Sequence, residues 1–452
     1  MKVKCSVALL VAWVLMAAAQ GANRPRFVVI MADDLGYGDL GCYGSRRIRT
    51  PQLDRLAASG IRLTDFHSSG AVCSPTRAGL VTGRYQQRAG IPAVILADPQ
   101  RPTHPHGLQQ SETTFAEMLG QAGYATALFG KWHLGYYPKY NPVRHGFDQF
   151  RGYISGNVDF FSHVDQAGRL DWWHDDQIED EPGYTTHLIT RHAVRFIEEN
   201  CQGPFCLYVA YEPPHYPYQG PRDAPIRKVG VPRGAGERNQ TTESKRRAYR
   251  EMVEEMDHGV GELLDALSRC KIDENTLVLF FSDNGATALG NNGPWRGRKG
   301  QLWEGGHRVP GIAAWPGRIP AGRSCGELAT TLDVMPTLLA AAGIDAPRTR
   351  PLDGRDLMEV FTRSATVGKR RVFWGHGRAQ AVRESHWKLL RRTRGQERPQ
   401  LFDLSQDPGE RDDRSASEPA RAAEMLKALA QWEQETQREA TPQPSQVPES
   451  RP

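Results

Sequence analysis

Four apolar runs of strand length set the frame for this chain of 452 residues. They span residues 27–31, 125–129, 205–210 and 276–281, and each is apolar at nearly every position rather than every second one. A strand of that kind must be buried on both faces, as in a mainly parallel sheet covered by helices. Helical patterns lie between the runs. Thr114-Phe115-Ala116-Glu117 reads as a capping box, with Met118, Leu119 and Ala122 on one face behind it. Residues 243–269 place Met252, Met256, Val260, Leu263, Leu264 and Leu267 at helical spacing. The pattern predicts an α/β fold: a large, doubly wound, mainly parallel sheet flanked by helices.

Ligands of such sheets sit beyond the carboxyl ends of the strands. Here every run ends in a polar cluster. Asp33-Asp34 follows the first, and Gly130-Lys131-Trp132-His133 the second. Pro213-Pro214-His215 follows the third, and Ser282-Asp283-Asn284-Gly285 the fourth. Parallel strands bring all four clusters to one edge.

Beyond residue 345 the texture changes to short strand-like pieces at 371–374, 379–383, 387–391 and 400–404, then a helical pattern at 418–435. This predicts a smaller antiparallel sheet with one helix. The expected division is a signal peptide over 1–19, a catalytic domain over 24–345, an α+β subdomain over 346–438 and a disordered tail over 439–452. The signal reading rests on Lys2 and Lys4, an apolar stretch over 7–19 and the small residues Ala17-Ala18-Ala19. That stretch is short for a span of about 20 residues, and no other long apolar run follows. An exported, periplasmic or secreted protein (lysosomal or extracellular in a eukaryote) with no stable membrane insertion is expected. The net charge of +5 is too weak to imply nucleic acid as a partner. Apart from Cys5 and Cys73, five of the seven cysteines remain. Export permits disulfides. Cys201 and Cys206 are near enough in sequence to pair, but Cys206 inside an apolar run suits a buried free thiol as well. Asn239-Gln240-Thr241 is a glycosylation sequon.

The strand-end clusters carry readable chemistry. Asp33, Asp34, Asp283 and Asn284 are all oxygen donors, which suits a hard cation such as calcium. Each motif alone is also a good turn sequence, but together, each at a strand end, they favour a metal. Cys73 sits at the start of a helical run, in the field of free backbone N–H groups that favours a reactive thiol. Arg77 follows one turn later, where its charge can offset nearby anions. Strand alternation places Lys131 and His133 on one side if the extended geometry continues.

The stretch Ala71-Val72-Cys73-Ser74-Pro75-Thr76-Arg77-Ala78-Gly79-Leu80-Val81-Thr82-Gly83 resembles, at every position, the signature of the type I sulfatases of the alkaline phosphatase-like superfamily. The stretch from Gly123 to His133 resembles the second signature of that family, with Phe129 as a slight departure. The resemblance is strongest to the arylsulfatase and N-acetylgalactosamine-6-sulfatase branch and covers residues 25–345 well. It implies that Cys73 is oxidised to formylglycine (3-oxoalanine) by a formylglycine-generating or anaerobic sulfatase-maturating enzyme. It further implies one calcium ion on Asp33, Asp34, Asp283, Asn284 and residue 73. Lys131 and Lys299 would bind sulfate, His215 would serve the leaving oxygen, and His133 would take the proton whose removal expels sulfate from residue 73. The pattern Trp303-Glu304-Gly305-Gly306 fixes the register on Lys299 rather than on Arg298. A sulfated carbohydrate or an aryl sulfate is the implied substrate.

Residues 151–185 hold Tyr153, Phe160, Phe161, His163, Trp172, Trp173 and His174. These rings either pack a small core of their own or form a rim beside the metal. On the second reading Trp172 and Trp173 stack on a sugar. Two rivals stand beside the sulfatase reading. One is a phosphate or phosphonate monoester hydrolase of the same fold. The other is a non-catalytic binder of sulfated glycans, which would have lost the modifiable cysteine or the metal aspartates.

Overall fold

The computed structural model describes residues 24–232, 240–392 and 398–444. The signal segment and Asn239 of the sequon lie outside them. Numbered along the chain, the strands are β1 (Arg26–Ala32), β2 (Ile61–Leu63), β3 (Phe66–His67), β4 (Ala125–Lys131), β5 (Gln149–Tyr153), β6 (Trp173–His174), β7 (Gln177–Ile178) and β8 (Phe205–Ala210). They continue as β9 (Thr276–Ser282), β10 (Gly311–Ala314), β11 (Arg323–Cys325), β12 (Ala329–Thr330), β13 (Arg371–His376), β14 (Ala379–Glu384), β15 (Trp387–Arg392) and β16 (Gln400–Asp403).

Ten of these strands form one sheet in the order β11-β2-β10-β9-β1-β8-β4-β5-β6-β7. The four apolar runs are β9, β1, β8 and β4, four adjacent parallel strands at its centre. β1 shows why its sequence does not alternate. Phe27, Val29 and Met31 enter the core on one side of the sheet, and Val28, Ile30 and Ala32 the core on the other. The helices Thr185–Asn200 and Thr242–Arg269 pack on the second side, burying Ile189, Phe196, Met256 and Leu263 among others. The capping box at Thr114 forms as expected, with Glu117 N–H donating to Thr114 Oγ1 at 3.1 Å and Thr114 N–H to Glu117 Oε2 at 2.8 Å.

Register positions the site. Ala32 lies opposite Ser282, and both Met31 and Gly130 lie opposite Ala210. The residues that follow, Asp33, Asp283 and Lys131, therefore emerge side by side from one edge.

The second sheet is the antiparallel meander β13-β14-β15-β16. One face, with Val372, Trp374, Ala381, Leu390 and Phe402, packs on Ala71, Leu302 and Trp303, which flank the segments carrying Cys73 and Lys299. The other face, with Val382, Leu389 and Leu401, receives Met425, Leu429 and Trp432 of the closing helix Pro419–Arg438.

Two sequence expectations are corrected. The start of the expected disordered tail is tied down: Thr441 N–H donates to the Arg88 carbonyl at 2.8 Å, and Gln443 Oε1 accepts from Gly107 N–H and Gln109 Nε2 at 3.0 Å each. Polar composition marks solvent-loving side chains but does not reveal that these ones find partners on the catalytic body. Residues 445–452 lie outside the described residues. The aromatic segment is also no exposed rim at its tryptophans. Trp172 is fully buried, stacked on His163 with ring centroids 4.6 Å apart, and its Nε1 donates to Glu181 Oε2 at 2.9 Å. Trp173 is buried, its Nε1 donating to Asp171 Oδ1 at 2.6 Å. β5, β6 and β7 extend the sheet edge here, and these rings provide the apolar volume that covers it.

Candidate active site

The helix Cys73–Thr82 starts at the strand-end edge with every residue buried. The Cys73 thiol donates to Asp33 Oδ1 at 3.4 Å and accepts from Lys299 Nζ at 3.3 Å. Arg77 lies one turn on and straps three segments together. Its Nη1 donates to the Lys131 carbonyl at 2.9 Å, and its Nη2 meets Asp283 Oδ2 at 3.1 Å and Asp33 Oδ2 at 3.4 Å. Lys131 Nζ pairs with Asp33 Oδ2. Lys299 Nζ pairs with Asp34 Oδ1 at 2.6 Å. The Lys299 backbone N–H donates to the Ala286 carbonyl, and Gly300 N–H to the Ala71 carbonyl, which ties this loop to the Cys73 segment. Arg298 is exposed, so the register falls on Lys299.

The carboxylates leave acceptors over. Asp34 N–H donates to Asp283 Oδ1 at 3.1 Å, and Asn284 Nδ2 donates to Asp34 Oδ1 at 2.7 Å. Asp34 Oδ2 and Asn284 Oδ1 are buried without any hydrogen-bond donor. Orphaned buried oxygens are rare, and two of them beside Asp33 fit an oxygen-seeking cation. Atoms of Asp33, Asp34, Cys73 and His215 lie within 4.8 Å of one another. Asp283 is outside that group, turned toward Arg77 and the Asp34 backbone. Burial, then the charge of Asp33, pushes the Asp283 carboxyl up to about 7. Burial opposes ionisation of Asp33 too, but the charges of Lys131, Arg77 and Lys299 together hold it well below the usual carboxylate range.

His215 follows the Pro213–Pro214 cis peptide. Its Nδ1 bonds the Tyr216 carbonyl at 2.6 Å, which leaves Nε2, 3.8 Å from Asp34 Oδ2, as the free nitrogen. Burial and then the Lys299 charge hold the ring neutral. His133 does not continue the strand. Its φ of 57° is left-handed, so the expected alternation with Lys131 fails. Its Nε2 bonds the Ile95 carbonyl at 2.9 Å, while Ile95 N–H donates to Ser74 Oγ at 3.2 Å. Nδ1 is left buried and unpartnered. With Nε2 as the donor, Nδ1 carries the lone pair.

One expectation about Cys73 is reversed. A helix start favours thiolate, but burial, then Asp283 and Asp33, push this thiol up. Sequence reasoning also missed two positions. Ile95 couples His133 to the residue after Cys73, from a loop with no pattern to mark it. Glu212 is fully buried, with Oε1 accepting from Val158 N–H at 2.9 Å and Oε2 unpartnered. Its place immediately before Pro213-Pro214-His215 was the available signal.

A second buried cluster joins His67, Glu304 and His307. There Asp65, Glu304 and Glu410 are met by Arg308, Arg383 and Lys388 at 2.7–3.2 Å. Charge is already balanced, so this is an ion network between the two sheets rather than a cation site.

This fold and this edge match known proteins. The sulfatase family profile matches residues 25–344, and the profile described as N-sulphoglucosamine sulphohydrolase, C-terminal, matches residues 295–438. The chain is 34% identical to N-acetylgalactosamine-6-sulfatase of Canis lupus familiaris over 386 residues, 80% of this chain and 70% of that protein. It is 34% identical to arylsulfatase G of Mus musculus over 428 residues, 83% and 77% of the two chains. The crystal structure of Ps i-CgsB, solved also in complex with k-i-k-neocarrahexaose, superposes with a TM-score of 0.82 at 30% identity, covering 92% and 94%. The chain belongs to the sulfatase family, and the activity of that class is hydrolysis of sulfuric esters. Among the described residues no helix is long and apolar enough to cross a membrane.

Proposed function

We propose that this sulfatase is exported, matures by conversion of Cys73 to formylglycine, binds one calcium ion and desulfates a carbohydrate. The observation that carries the reading is the clustering of Lys131, Lys299, Arg77 and His215 with Asp33 and Cys73, beside the orphaned Asp34 and Asn284 oxygens. Asp33, Asp34, Asp283 and Asn284 would hold the calcium, which supplies Lewis-acid stabilisation of charge on sulfuryl oxygens. Formylglycine, when hydrated, supplies the hydroxyl nucleophile and a second hydroxyl whose deprotonation releases sulfate.

The other residues act around that centre. Lys131 and Lys299 hold fixed positive charge on either side of residue 73, where the oxygens of a sulfuryl group gain charge. Arg77 keeps Asp33 and Asp283 in place. His215 presents Nε2 to the departing alcohol oxygen. Because this ring is held neutral with the lone pair on Nε2, the proton for the departing oxygen would come from the Lys299 ammonium beside it. His133 presents the lone pair of Nδ1 and acts as the base. A maturating enzyme, formylglycine-generating or anaerobic, would act on Cys73 before the segment is buried.

The carbohydrate assignment draws on the names of two relatives, an N-acetylgalactosamine-6-sulfatase and a protein solved in complex with k-i-k-neocarrahexaose. Matched sulfate and phosphate monoesters, followed by a panel of sulfated sugars, test it. Turnover of a sulfated sugar well above the phosphate ester is expected. Preference for phosphate or phosphonate would replace the reading with that of the rival hydrolase.

A further inference from the structure

The helices Thr185–Asn200 and Thr242–Arg269 precede β8 and β9, the two parallel neighbours of β1. They therefore run the same way and end together, at the sheet edge opposite Cys73. Each is closed by a cysteine in helical conformation, Cys201 and Cys270. The last turns are already joined by an ion pair, Arg269 Nη2 to Glu198 Oε1 at 2.8 Å. Arg26 Nη2 donates to the Cys201 carbonyl at 2.7 Å. The Cys270 side chain neighbours that of Cys201 across the two helix ends, and burial, then the Cys201 side chain, pushes the Cys270 thiol up. Both side chains border the same core cluster, and both are only partly buried. Cys206 lies in the cluster on the opposite side of the sheet. The Cys201–Cys206 pairing left open by sequence is thereby excluded.

We propose that Cys201 and Cys270 form a disulfide that staples the two helix ends. The two thiols surrender two electrons and two protons to a small-molecule or protein disulfide, which leaves as two thiols while the Sγ–Sγ bond forms. The bond closes a loop that contains His215 and the whole Thr242–Arg269 helix, and it restricts the unfolded chain most of all. It lies away from the catalytic edge, so it adds stability and leaves the chemistry alone.

The test uses the full chain equilibrated with oxidised glutathione, digested without reduction. A peptide linking Cys201 to Cys270 is expected. The oxidised protein should melt higher than the reduced one, by on the order of 5 °C, with the same kcat on an aryl sulfate. C201A and C270A should each melt at the temperature of the reduced wild type whatever the redox state. Both thiols alkylated after equilibration would overturn the proposal, as would a glutathione adduct or a melting temperature that ignores reductant.

Discussion

Asp34 and His133 carry left-handed backbone angles, φ 68° and 57°. Side chains other than glycine adopt them rarely, and such strain gathers at functional sites. On these two turns Asp34 Oδ2 and His133 Nδ1 are both buried and without a hydrogen-bond partner. Removing the His133 ring should leave bond formation at residue 73 intact and slow release of sulfate by about 10²–10³. His133→Ala should give a stoichiometric burst of alcohol and then slow turnover, whereas His215→Ala should suppress the burst itself. Stopped-flow assay of both variants decides, and a missing burst in His133→Ala would remove the base role. Asp283 gives a pH prediction. Its folded carboxyl is raised to about 7, above its unfolded value. In metal-stripped protein the folded state then holds the extra proton, and stability falls as pH rises toward 7. A cation displaces that proton. Calcium uptake should therefore release protons and weaken as pH drops below about 7, with Asp283→Ala losing metal and activity together. Calorimetry in buffers of different ionisation enthalpy reads the proton; uptake with none released would contradict the assignment.

At the scale of the element, β1 and β9 each end one residue before an aspartate of the site, β4 ends on Lys131 itself, and β8 ends five residues before His215. The apolar runs made those strands legible, and eight of the ten site residues fall into one bonded network, with His215 Nε2 3.8 Å from Asp34 and His133 bonded only to Ile95. His133 escaped its expected geometry because a single left-handed residue is invisible to strand alternation. Ile95 escaped because a backbone carbonyl contact leaves no mark on residue type. The aromatic segment misled for another reason: composition cannot tell a stacking platform from a ring that covers a sheet edge. The burial of Trp172 and Trp173 now predicts a packing role for both. Trp172→Ala should destabilise by about 3–5 kcal/mol and lower kcat/KM on glycan and aryl sulfate alike. A loss confined to the glycan would return these rings to substrate binding.

At the scale of the molecule, the C-terminal sheet acts as a lid on the back of the site rather than a separate unit. Trp374 Nε1 donates to the Ser68 carbonyl at 2.8 Å, and Arg383 forks onto Asp65 with two bonds of 2.7 Å. Glu304, in the turn after Lys299, takes Lys388 and Arg383 from that sheet. Breaking a buried pair leaves the partner charge stranded, at a cost of about 3–5 kcal/mol. Glu304→Gln should thus lower the melting temperature of the whole chain in one transition, and two separated transitions would show that the sheets unfold independently. The antiparallel sheet itself was readable from its short strand pieces, but this ion network was not, because its charges are far apart in sequence. In the proposed mechanism residue 73 does the chemistry as an aldehyde. Peptide mass spectrometry across preparations of graded activity tests it most directly. Specific activity should rise in proportion to the fraction of formylglycine at position 73 and vanish with it, whereas full activity in protein whose Cys73 is entirely thiol would contradict the account.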